Sequence, residues 1–145
     1  MNEKDKTYLL LLRLFLFSAA LAWGVSVLGL VLPWPVVAEQ LRGLGAQLNG
    51  PDIMVQYWLK MAAAVYTLMG CFFAAMAIRP LRYRSVIRPI GLMHLVLAVV
   101  LLIHGWMLGV GAIPLYVDVG FCFCIGLGIW LTCGKLSKSG KKGRT

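Results

Sequence analysis

Four long apolar runs, residues 14–32, 53–78, 89–108 and 112–133, leave this chain few ways to fold. A hydrocarbon core of about 30 Å is crossed by about 20 helical residues, and each run is about that long. No water is available there to satisfy the backbone, so each segment must close its own hydrogen bonds. Continuous apolar blocks do so as helices, whereas a barrel needs strands of about ten residues with alternating polarity. The runs predict an all-α, integral membrane four-transmembrane-helix bundle in a single domain, residues 1–145, with no soluble domain.

Charge supports the same class. The chain carries 14 Lys and Arg against 5 Asp and Glu. In a soluble protein that excess suggests nucleic acid; here it is confined to short segments between apolar runs, so it reads as topology and no nucleic-acid partner is expected. Lys4, Lys6 and Arg13 precede or enter the first run, and Arg79, Arg82, Arg84 and Arg88 join the second to the third. Lys135, Lys138, Lys141, Lys142 and Arg144 follow the fourth. The other two connections hold only Arg42. Positive-inside bias then places both termini in the cytoplasm, N-in and C-in. Val36, Val37 and Ala38 loosely resemble a signal cleavage site. The apolar run before them is longer than the roughly 7 to 15 residues of a signal core, which favours a span.

Punctuation divides the chain further. Pro33, Trp34 and Pro35 end the first run, and Val37, Leu41, Leu44 and Leu48 then recur with helical spacing among polar residues, predicting a short amphipathic segment on the outer interface. Asn49, Gly50, Pro51 and Asp52 read as a turn with a helix cap. Arg79 and Pro80 break the second run, and Pro89 is placed to begin the third helix in its first turn. Gly109, Val110 and Gly111 allow only a tight hairpin between the third and fourth. The Lys- and Gly-rich residues 134–145 read as a mobile basic tail near anionic lipid heads.

Lipid supplies no hydrophobic drive between helices, so small residues should mark the packed faces. Candidate seams are Ser18, Ala22, Ser26 and Gly29; Ala63, Thr67, Gly70 and Ala74; and Gly120, Cys124 and Gly128. Cys122 and Cys124 point about 200° apart on a helix and cannot share a metal or a disulfide. With Cys71 and Cys133 they are expected to pack as small hydrophobes.

The costly residues are ionisable groups inside the spans. Lys60, His104 and Asp118 lie at similar depths, about 7–9 Å outside the centre of their spans at the helical rise. Such groups face the bundle interior and pair. Gln56, Lys60, Thr67 and Cys71 form one polar stripe. The expectation is a polar layer in which Asp118 pairs with Lys60, His104 joins or competes, and Ser26, Tyr57, Tyr116 and Gln56 complete the hydrogen bonds. One function for the layer is an internal charged clamp fixing which helix faces which. The other is an outer-leaflet site at which Lys60 meets an anionic head group or carboxylate. His94 lies nearer the inner side. Haem would need an axial partner on another helix, such as Met69, so His94 reads more simply as a hydrogen-bonded core histidine near Thr67 or Tyr66.

The loop AIRPLRYR at residues 77–84, four short spans and a first span ending in LPWP resemble the DoxX-like and BphX-like bacterial inner-membrane proteins. That resemblance implies a compact four-helix bundle, a multi-pass place in the bacterial inner membrane and a loose association with quinone-linked redox systems. It carries over no catalytic role to any residue. No phosphate loop, haem-attachment or zincin motif is present, and we expect no enzyme, cofactor or metal. Partners are expected to be the lipid bilayer, a second copy or a larger membrane complex, with a lipid or quinone as a possible ligand. The first functional expectation is a structural or accessory component of a membrane assembly. The alternative is a binding or transport module for a lipid, quinone or small anion.

Overall fold

The computed structural model describes residues 3–48 and 52–142, with side chains through Leu136. It contains six helices: α1 (Glu3–Gly24), α2 (Val27–Val31), α3 (Trp34–Gly43), α4 (Ile53–Ile78), α5 (Arg84–Met107) and α6 (Ala112–Lys142). Among the described residues no strand is present. Four segments are long and apolar enough to cross a membrane: α1 with α2, α4, α5, and α6 as far as Leu136.

Local chemistry explains the boundaries. Asp52 caps α4, its carboxylate accepting from the N–H groups of Met54 at 2.8 Å and Val55 at 3.3 Å. The rest of the expected turn, Asn49, Gly50 and Pro51, lies outside the described residues. α4 stops at Ile78, immediately before Arg79 and Pro80. α5 ends in a left-handed glycine, Gly109 at φ 65°, with the Val110 N–H returning to the Gly105 carbonyl at 2.9 Å. This closure turns the chain directly into α6. The same device ends α3, where Gly45 has φ 98° and Ala46 N–H bonds the Leu41 carbonyl at 2.9 Å. Pro35 sits in the first turn of α3, where a proline loses nothing.

Three boundaries differ from expectation. α5 begins at Arg84, so Pro89 lies inside the helix rather than in its first turn. Near a helix start the missing N–H removes one backbone bond and leaves the rest of the ladder intact. The first span begins as a helix at Glu3 and is interrupted at Val25 and Ser26, where Ser26 N–H bonds the Trp23 carbonyl at 3.2 Å in a tightened turn. At the other end α6 does not stop at Cys133 but continues to Lys142, through the stretch expected as a mobile tail. Both extensions have one cause: Leu12 and Leu136 are buried in the same core, and Lys135 lies over the Tyr8 ring at 5.1 Å. The remaining tail residues, 143–145, lie outside the described residues.

The helices associate as two pairs. α1 packs against α4 and α5 against α6, while α1 also packs on α6. Backbones approach closely at two crossings. A β-carbon on Gly70 would lie 2.6 Å from Gly24 Cα, and one on Gly126 would lie 2.8 Å from the Gly91 carbonyl oxygen. Gly128 receives the edge of the Phe15 ring, joining the two pairs. Gly29 faces Ala63, as the proposed seams suggest, but Gly120 has open space around it and Ser18, Ala22 and Cys124 are exposed. Of the cysteines, Cys122 and Cys133 are buried whereas Cys71 and Cys124 face outward, and all four are free.

The buried core is concentrated towards the end of the bundle that carries the α4–α5 turn. Leu12, Leu16, Phe73, Met76, Ile87, Ile129 and Cys133 are fully enclosed there. Towards the other end the pairs separate. Gly126→Ala is expected to lower stability by about 1–3 kcal/mol through overpacking. Gly120→Ala, with nothing near its β-carbon, is expected to be neutral or slightly stabilising. Thermal unfolding of both variants in one detergent checks this, and equal midpoints would refute the crossing.

Candidate functional site

Where the pairs separate, the bundle holds a cavity of about 450 Å³. α1 supplies Ala22 and Trp23, the turn between α1 and α2 supplies Ser26, α5 supplies Leu97 and Leu101, α6 supplies Val117, Asp118, Phe121 and Cys122, and α4 contributes Tyr66. Exposure gives the cavity its direction. Cys122 is buried, Trp23, Ser26, Leu97, Leu101 and Phe121 are half-buried, and Asp118, Val117 and Tyr66 are exposed. An exposed mouth carrying Asp118 thus leads into an aromatic and aliphatic interior. Ser26, in the interrupted turn of the first span, lies in this wall.

Trp23 and His94 join the cavity to the core. The Trp23 indole Nε1–H donates to His94 Nε2 at 3.2 Å. His94 Nδ1 lies 3.1 Å from the Ile90 carbonyl, which can only accept, so the histidine proton is on Nδ1. Both ring nitrogens are therefore occupied, and neither is open to an axial metal bond. The ring is also packed edgewise by Phe73 at 5.2 Å and by Trp23 at 5.9 Å. Tyr66 stacks at a tilt on the outer face of Trp23, with centroids 5.0 Å apart. His94 is thus a hydrogen-bonded core histidine; its side-chain partner is Trp23, rather than Thr67 or Tyr66. The Thr67 hydroxyl instead bonds the Ala63 carbonyl on its own helix at 2.7 Å.

Of the expected polar layer, Ser26 and Asp118 line this cavity; Lys60, His104, Gln56, Tyr57 and Tyr116 do not. The Lys60–Asp118 ion pair is not formed, and among the described residues the one salt bridge is Lys6–Glu3 at 2.7 Å. Lys60 is exposed on α4, which packs on α1 and hardly touches α6 along its backbone. His104 is exposed as well, its Nδ1–H turned to the Val100 carbonyl at 3.0 Å. Tyr57 and Tyr116 point outward at 59% and 67% exposure. Equal depth along three helices did not bring these groups onto one face. Asp118 consequently has neither a hydrogen bond nor an ion pair from the described residues, and it is the sole charged residue in the cavity wall.

No family model, curated protein or solved structure matches the chain. The site is therefore read from its own geometry. Trp23, Phe121, Leu97 and Leu101 were absent from the expected set. A signal for Trp23 does exist in the sequence: its indole lies inside an apolar run, away from the interface where Trp collects, and a buried indole N–H must find an acceptor.

That bond generates a test. Trp23→Phe keeps a ring but removes the donor, leaving His94 Nε2 unpaired, and should destabilise the protein by about 1–3 kcal/mol. Adding His94→Leu removes the orphaned acceptor and should recover part of the loss. Thermal melting in detergent reads both; additive losses in the double variant would contradict the pairing.

Proposed function

We propose that the protein is a non-enzymatic membrane protein that binds one amphipathic molecule with a cationic head in the cleft between its helix pairs. The carrying observation is the unpaired Asp118 at the mouth of an otherwise apolar, aromatic-lined cavity. A cavity of about 450 Å³ lies within the range of small-molecule sites, roughly 300–1,000 Å³. A lone carboxylate at the edge of lipid lacks a compensating charge, and a cationic ligand supplies one. The faces of Trp23, Tyr66 and Phe121 favour the same charge through their ring quadrupoles. The tail of such a ligand would lie against Leu97, Leu101 and Phe121.

This reading selects the binding module over the structural component with a charged clamp, because the pair on which that clamp rested is not formed. It also changes the ligand. An anion was expected from Lys60, but the cleft wall contains Asp118 and no cation. The resemblance to DoxX-like and BphX-like proteins supports a bacterial inner membrane, and the basic segments support an N-in, C-in topology with α3 on the outer interface. In that orientation the cleft opens in the outer half of the bilayer. A reporter that matures only in the cytoplasm should be active when fused to either terminus and inactive when inserted after Gly45; the opposite pattern would invert the topology.

Binding is tested with two ions of the same shape and opposite charge, tetraphenylphosphonium and tetraphenylborate, on the protein in nanodiscs and corrected for empty discs. Saturable binding of one phosphonium per chain is expected, at least about tenfold tighter than the borate and lost in Asp118→Asn by a similar factor. Equal binding of the two ions, or none above empty discs, would remove the proposal.

A further inference from the structure

A second cavity, of about 470 Å³, lies at the opposite end of the bundle and is lined by Arg84, Ser85, Arg88, Pro89 and Cys133. Its two charged wall residues are both arginines, and Arg79 and Arg82 lie in the adjoining turn. One atom in this region is out of balance. Arg84 Nη2 is buried from solvent and has no hydrogen-bond partner. A guanidinium N–H without an acceptor is costly, and folded proteins leave few such groups unmatched.

The neighbours do not satisfy it. The nearby Cys133 sulfur sits beside the Arg84 side chain, but its thiol is turned to the Arg84 carbonyl, with Sγ 3.8 Å from the oxygen, and Nη2 is left without a bond. Arg88 lies over the Trp130 ring at 5.8 Å, and its N–H groups have no acceptor among the described residues. The cavity also sits at the start of α5, where the Val86 and Ile87 N–H groups already bond the Tyr83 carbonyl at 2.9 Å but the macrodipole still favours negative charge. No acidic residue lines it. Two guanidinium groups on one cavity wall at a helix start, with no acid beside them, call for a tetrahedral oxyanion, whose several acceptor oxygens match their forked donors.

The placement selects the source of that anion. Arg84 and Arg88 stand where the apolar part of α5 begins; Val86 between them and Leu92 and Met93 beyond them are exposed along the helix. A phosphate held here has its acyl chains beside those residues. We infer that the Arg84–Arg88 cavity binds the phosphate of an anionic glycerophospholipid, as a site separate from the Asp118 cleft and independent of its ligand. The role is not carried by charge count alone: exposed Arg79 has the same charge but does not line the cavity.

The experiment measures lipid binding to the full chain by native mass spectrometry in an uncharged detergent. The probes are phosphatidylglycerol, phosphatidylcholine, diacylglycerol and inorganic phosphate. Phosphatidylglycerol should bind at one preferred site, phosphatidylcholine more weakly because its ammonium meets two arginines, and diacylglycerol not at all. Arg84→Gln and Arg88→Gln should each weaken phosphatidylglycerol about tenfold, the loss expected for one charge-assisted hydrogen bond, while Arg79→Gln leaves it unchanged. Should Arg84→Gln not fold, Arg84→Lys retains the charge without the fork, and an intermediate loss is expected from it. Equal losses for Arg79→Gln and Arg88→Gln would reduce the site to general basic attraction and overturn the inference. So would displacement of phosphatidylglycerol by millimolar inorganic phosphate, which would make free phosphate the ligand.

Discussion

Backbone contact at Gly91 and Gly126 sets what the rest of the bundle can do. In lipid, helices gain nothing from burying apolar surface against each other, and close packing must hold them. A β-carbon on Gly126 would meet not only the Gly91 carbonyl but also His94 Cβ at 3.0 Å. The crossing therefore lies directly beside the histidine. With α5 and α6 in contact there, His94 is carried into the core, where Trp23 of α1 reaches its Nε2 and Phe73 of α4 packs against its ring. Residues from all four spanning segments meet at this point. Towards one end the packing is tight; towards the other a cleft forms.

Much of the fold can be read directly from residue types. The stop at Arg79 and Pro80, the left-handed Gly109 between the last two helices and the Asp52 cap each depend on chemistry local to a few residues, and each lies where that chemistry puts it. Helix ends that depend on tertiary packing were not legible. Residues 3–13 of α1 and the segment of α6 beyond Cys133 support one another, and neither half of that contact is visible in its own sequence. Pro89 shows the same limit: a proline near a helix start is compatible with several starting points, and only packing of Ile87 in the core selects Arg84.

The polar residues illustrate a sharper limit. Counting along a helix gives depth, and Lys60, His104 and Asp118 do share a depth range. Contact also requires the rotation of each helix and the identity of its neighbours. Those depend on Gly24 against Gly70 and Phe15 against Gly128, which place α1 between α4 and α6. Lys60 and Asp118 are separated by that arrangement. Ser26 was legible for a simpler reason: it shares a face of the first span with Ala22, and both line the cleft with Asp118. Trp23 was not legible because an aromatic within an apolar run resembles filler, and only its N–H demands a partner.

The two cavities differ in a way that follows from this asymmetry. At the cleft the wall is apolar and aromatic with one carboxylate, and the unmet need is for a positive charge. At the arginine cavity the wall carries two guanidinium groups and no acid, which suits the anion proposed for it. Were a single polar layer the purpose of these residues, Asp118 and an arginine or lysine would have been brought together, since each lacks what the other has. Instead the tight core of Leu16, Phe73, Met76 and Ile129 lies between the two ends, fully excluded from solvent. Opposite charges kept apart by a packed apolar core cannot stabilise the bundle by pairing. Such charges are left to interactions outside the chain, a cationic head at one end and an anionic one at the other in the proposed reading.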